Sequence, residues 1–158
     1  MRVLVISTSL RPGSFSEKLA TSFTEGARSA GHDVEFVSLK GKPLRFCTGC
    51  VRCQTTKKCM LSDAAPAIVE KIRLCDAVVW VTPIYYYSMS GQMKVLLDRS
   101  NPLYVSQYNL KDVYVLAIDF VCLVHGPLHT HAETTVFCNV DLRHLFFFSA
   151  SHSALSSL

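Results

Sequence analysis

The chain has 158 residues, 49% of them hydrophobic and 18% charged, enough apolar material for one sizeable core and too little charge for a disordered chain. Its formal net charge of +4 is mild and its cations are scattered, which argues against a nucleic-acid-binding surface and favours small anionic ligands such as phosphates. No apolar run is long enough to span a membrane, Met1-Arg2 leads straight into a strand-like segment without a signal peptide, and seven cysteines, four of them clustered, point to a reducing cytoplasm.

In chain order, Arg2 to Thr8 (RVLVIST) is an apolar, β-branched run and predicts a buried parallel strand. A polar loop through Pro12 and Gly13 follows. Glu17 to Ala30 has helical spacing through Leu19, Phe23 and Ala27, with Gly31 as its stop. Asp33 to Leu39 alternates as a second strand. After a cysteine-rich loop, Ser62 or Asp63 can cap a helix that buries Ile68, Val69, Ile72 and Leu74 and tolerates Pro66 in its first turn. Asp76 to Thr82 (DAVVWVT) predicts a third buried strand, and Ser90 starts a helix with Met93, Leu96 and Leu97 inward and Asp98-Arg99 near its end. Lys111 to Ile118 predicts a fourth strand.

Strand and helix alternate four times, which predicts an α/β fold: a doubly wound parallel sheet in three layers, built by right-handed crossovers. Ligands in such sheets sit outside the carboxyl ends of the strands, so the functional loops are expected at Ser7 to Ser16, at Thr82 to Ser90 and after Ile118, with the cysteine loop at the same end. The tail departs from the pattern. From Asp119 onward the only charged residues besides histidine are Asp119, Glu133, Asp141 and Arg143, while His125, His129, His131, His144 and His152 crowd the segment. No clean helix followed by a fifth strand is visible. Residues 1–118 are therefore read as the core, and residues 119–158 as a divergent segment of the same domain with an irregular or truncated end.

Three segments carry candidate chemistry. Cys47, Cys50, Cys53 and Cys59 follow C-x2-C-x2-C-x5-C, which lets one short loop turn four thiolates toward one centre. The spacing is like that of loops holding cubane iron–sulfur clusters; zinc, a disulfide pair or a merely thiol-rich loop are the alternatives. Arg52, Lys57 and Lys58 lie within the run and favour thiolates. The first loop has neither GxxxxGK[ST] nor GxGxxG, so neither a nucleotide P-loop nor a dinucleotide fingerprint is present. It offers instead the hydroxyls of Ser7, Thr8, Ser9, Ser14 and Ser16 with Arg11 beside them, at a helix start, which suits either a phosphate monoester or an ordinary capped loop. In the third segment, Pro83 to Gly91, three adjacent tyrosines cannot all enter the core. They are placed to border a planar ring or to cover the sheet end at a dimer interface.

Together these segments resemble a known family. STSLRPGSFSEKLA is similar to the phosphate loop of flavodoxin-like NAD(P)H-dependent FMN reductases, and TPIYYYSMSGQMKVLLDR to their flavin-ring loop and following helix. CTGCVRC with Cys59 and Leu61-Ser62-Asp63 resembles the iron–sulfur flavoprotein branch. The resemblance covers about Met1 to Ile118. It implies FMN held by its phosphate at Ser9, Arg11, Ser14, Phe15 and Ser16, with Pro83, Ile84, Tyr85, Tyr86, Tyr87 and Ser88 along the flavin ring. It implies NAD(P)H as donor, a 4Fe-4S cluster at Cys47, Cys50, Cys53 and Cys59, and a quinone, azo compound, metal ion or ferredoxin as acceptor. It also implies a homo-oligomer, dimer or tetramer. No side chain is assigned as a catalytic acid or base, because the cofactor carries that chemistry. A non-enzymatic, flavodoxin-like electron carrier is the rival reading.

Overall fold

The computed structural model describes residues 1–105 together with strands at 114–120, 134–139 and 145–149. Among them, β1 (Arg2–Ser7), β2 (Asp33–Ser38), β3 (Ala77–Tyr85) and β5 (Tyr114–Phe120) pair in parallel in the order β2-β1-β3-β5, and the two-residue β4 (Ser88–Met89) pairs with β3 alone. The four parallel strands are the expected doubly wound core. Helix α1 (Phe15–Ser29) covers one face, and α3 (Ala65–Leu74), α4 (Gly91–Arg99) and α5 (Asn101–Val105) cover the other; α2 (Cys53–Thr56) is a single turn.

Alternation along β1 divides the core between these layers. Val3 and Val5 pack with Val79, Val81 and Ala20 on the α1 side, while Leu4 and Ile6 pack with Ile68, Ile72 and Leu96 on the other. On α1 the innermost residues are Ser16, Ala20 and Thr24, with Leu19, Phe23 and Ala27 along the flank of the stripe. The small residues let the helix approach the sheet closely. On α3, Ala65, Ile68, Val69 and Ile72 are buried as spaced, but Leu74 is 45% exposed. Two positions beyond Ile72 is roughly half a turn around the helix, off the buried stripe.

The end of the sheet differs from an all-parallel arrangement. Strand β6 (Thr134–Asn139) runs antiparallel to β5, with Ile118 opposite Val136, and β7 (Leu145–Ser149) runs antiparallel to β6. Residues 140–144 are too few for a crossover helix, so the chain returns antiparallel. The sheet is therefore mixed. The fourth parallel strand also runs to Phe120, past Ile118; Lys111 to Val113 lie outside the described residues, as do the five tail histidines and the loop expected after the strand. No helix among the described residues is long and apolar enough to cross a membrane.

Candidate functional site

Strand β1 ends at Ser7, opposite Val81 of β3, and β3 runs on to Tyr85, so the first loop leaves the sheet beside the extended end of β3 at the carboxyl edge. In the first loop Ser9, Ser14 and Ser16 are all buried, while Arg11 is exposed and Phe15 is 55% exposed with the Lys18 ammonium over its ring. Ser14 caps α1: its hydroxyl accepts from the Glu17 N–H at 3.1 Å, and the Glu17 carboxylate accepts from the Gly13 N–H at 2.8 Å. This is close to a capping box and fixes the loop geometry at the helix start. Gly13 has φ +63°, which suits glycine at that bend. The Ser7 hydroxyl is buried without a hydrogen-bond partner among the described residues. Buried Ser14 and Ser16 at the start of α1, with the unsatisfied Ser7 hydroxyl at the end of β1, fit an anionic phosphate.

The segment after β3 is not the open loop expected from Thr82 to Ser90. Strand β3 continues through Pro83, Ile84 and Tyr85, turns at Tyr86-Tyr87, and is paired by β4 as the chain doubles back, Ile84 opposite Met89. Both turn residues have positive φ, 50° at Tyr86 and 63° at Tyr87, as a two-residue type I′ hairpin requires. Such turns prefer Asn-Gly; bulky side chains there are strained. The two rings meet edge to face at 5.9 Å and are 96% and 88% exposed. Pro83 is buried, Ile84 half-buried, and Tyr85 and Ser88 exposed. Beneath the hairpin, the Ser90 hydroxyl lies 3.0 Å from both the Thr8 and the Thr82 hydroxyls and accepts from the Met93 N–H. The base of the tyrosine hairpin is thereby tied to the end of β1 and to the start of α4.

The four loop cysteines are free thiols, Cys47 and Cys50 exposed, Cys53 and Cys59 half-buried. All four line one cavity of about 60 Å³, together with Arg99 and Asn101. Among the described residues no three His, Cys, Asp or Glu side chains converge closely enough to hold a single metal ion. The Arg52 backbone N–H, with the Thr48 hydroxyl, holds the Cys50 thiol below its ordinary pKa. Cys75, outside the loop, is pushed up to about 11 by burial and belongs to the core.

Arg99 is buried at the end of α4, and its guanidinium makes five contacts. Nε donates to Cys59 Sγ at 3.2 Å; Nη1 to the Asp63 carboxylate at 2.6 Å and the Arg45 carbonyl at 2.7 Å; Nη2 to the other Asp63 oxygen at 3.0 Å and the Leu61 carbonyl at 3.3 Å. Asn101 Nδ2 donates to Cys53 Sγ at 3.1 Å. Burial opposes ionisation of Asp63, but the guanidinium and the N–H groups of Arg45 and Ala65 outweigh it and hold its carboxyl below the usual value.

The profile of NADPH-dependent FMN reductases matches residues 1–152. The chain belongs to this family. It is 35% identical over 103 residues to an iron-sulfur flavoprotein of Methanocaldococcus jannaschii, a match covering 65% of this chain and 53% of that protein. It is 30% identical over 145 residues to an iron-sulfur flavoprotein of Methanosarcina thermophila, covering 92% of this chain and 74% of the relative. It also spans about half the length of an Archaeoglobus fulgidus iron-sulfur flavoprotein. The NAD(P)H:quinone oxidoreductase from Methanothermobacter marburgensis shares the fold, with a TM-score of 0.59 at 19% identity, over 77% of this chain and 66% of that one.

Within this FMN reductase family member, the sequence pattern tied Asp63 to the cysteine segment only through the Leu61-Ser62-Asp63 resemblance and did not single out Arg99 and Asn101 as neighbours of the cysteines. The sequence offers Ser62 or Asp63 as the cap of α3; the N-cap is instead Ala64, and the Asp63 carboxylate, one residue before it, accepts from the Ala65 N–H at 2.9 Å. Arg99 appears as a cation near a helix end, where its burial has no sequence signature. The nearest signal is the arginine's place in the LLDR segment that also carries the family resemblance.

Proposed function

We propose that this chain is an FMN-dependent NAD(P)H oxidoreductase of the quinone-reductase type, with a 4Fe-4S cluster on its cysteine loop. One observation carries the reading: a buried serine cradle and an exposed tyrosine hairpin leave adjacent parallel strands at the same sheet edge, the place where such sheets bind ligands. Bound FMN would supply hydride acceptance, and a bound cluster one-electron transfer. The chain's own residues bind and orient. Ser9, Ser14 and Ser16, with the N–H groups at the start of α1 and the Arg11 charge, hold the phosphate. Pro83 through Ser88 border the flavin ring, and the Thr8–Ser90–Thr82 hydroxyls keep the hairpin fixed against β1.

For the cluster, support comes from four free thiols lining one cavity and from the C-x2-C-x2-C-x5-C spacing of the loop. The exposed, edge-to-face pair Tyr86 and Tyr87 favours a homo-oligomer that covers the hairpin. The acceptor is a quinone, an azo compound, a metal ion or a ferredoxin.

The test is anaerobic NAD(P)H oxidation by the FMN-loaded chain with added quinone, alongside FMN titration of the Arg11→Ala/Ser16→Ala double variant. Turnover in the wild type and markedly weaker FMN binding in the variant are expected. Unchanged FMN affinity would sink the phosphate assignment, and no turnover with bound FMN would leave an electron carrier.

A further inference from the structure

We infer that Arg99 and Asn101 form a clasp that closes the neck of the cysteine loop and donates hydrogen bonds to its two inner sulfurs; the second half of this inference rests on the cluster reading above. The loop, residues 46–60, has one turn of regular structure, α2, and most of it is exposed, so core burial cannot hold its shape. The guanidinium substitutes for that burial. Its donors reach the Arg45 carbonyl just before the loop and the Leu61 carbonyl just after it, joining the two ends. Asp63, its side chain only 4% exposed, neutralises the buried charge and orients the fork. Nε then meets Cys59 at the end of the loop, and Asn101, two residues on, meets Cys53 in its middle.

The two ends of the loop are therefore held at fixed separation, and two of the four sulfurs carry N–H donors from outside the loop. Donors on a coordinating sulfur stabilise the more reduced, more negative state of the centre and raise its reduction potential. Arg99 and Asn101 are positioning residues: they act through the cysteines and touch no substrate.

The experiment uses the full chain as wild type, Arg99→Lys and Asn101→Ala, with two readouts. In the metal-free, reduced chain, trypsin cleaves the loop at the exposed Arg52, Lys57 and Lys58. Lysine keeps the charge but loses the planar fork, so Arg99→Lys is expected to be cut about tenfold faster, the equivalent of one lost charge-assisted hydrogen bond. After anaerobic reconstitution, Asn101→Ala is expected to lower the potential of the centre by ~60 mV, a tenfold change in a one-electron equilibrium. A folded Arg99→Lys chain cleaved at the wild-type rate overturns the clasp. A reconstituted Asn101→Ala chain with unaltered potential overturns the sulfur bond's role. If the wild type takes up no cluster, the cluster reading fails, and the cleavage rates still decide the clasp. If Arg99→Lys does not fold, loop cleavage in Asn101→Ala decides it: faster cutting supports it and unchanged cutting contradicts it.

Discussion

At the scale of single residues, the buried pair Arg99–Asp63 has the largest consequences. A buried ion pair stabilises only while both partners keep their charge. The Asp63 pKa is depressed in the folded chain, so its contribution is fully present above the ordinary carboxylate pKa and is lost as pH falls through the lower folded value. Urea midpoints should fall on acidification below about pH 4. Asp63→Asn should be less stable at neutral pH, by about 3 kcal/mol, and should lose less on acidification. Equal acid sensitivity in both chains would show that Asp63 is not the titrating group. The cysteine spacing was readable because the four thiols are neighbours in sequence. The arginine was not, because its partners lie 36 and 54 residues away and a lone charge near a helix end ordinarily faces water.

At the scale of elements, β1 and β3 follow from their apolar, β-branched runs, β2 from its alternation, and α1, α3 and α4 from their 3.6-residue spacing, and Ser14 and Ser90 cap where capping residues belong. The hairpin escaped the pattern because Tyr86-Tyr87 lacks the Asn-Gly signature of its turn. The double substitution Tyr86→Asn/Tyr87→Gly, which installs the preferred turn pair, should relieve strain of ~1 kcal/mol or more per residue and raise the thermal midpoint. FMN affinity should fall in the same variant if the rings border the flavin. A stabilised chain with full affinity would reduce the tyrosines to a surface feature.

For the whole molecule, β3 is the centre of the architecture, flanked by β1 and β5, with Val78, Val79 and Val81 buried. Val79→Asp would bury an unpaired charge at a cost of several kcal/mol and should leave no folded, flavin-binding chain. Soluble, loaded protein from that variant would contradict the central position of β3. The parallel core was legible in the sequence because β1, β2 and β3 are each followed, before the next strand, by a helix-periodic segment. The antiparallel end was not, because the short runs Thr134–Asn139 and Leu145–Ser149 carry no sign of pairing direction. The central claim is that one chain binds both a flavin and a four-thiolate iron–sulfur centre. It is tested most directly by the absorbance spectrum and metal content of the anaerobically reconstituted protein. The account expects flavin bands over a broad cluster shoulder, with iron and sulfide near ~4 each per chain, as four cysteine ligands imply. A flavin spectrum with stoichiometric zinc, or with no metal at all, would contradict it.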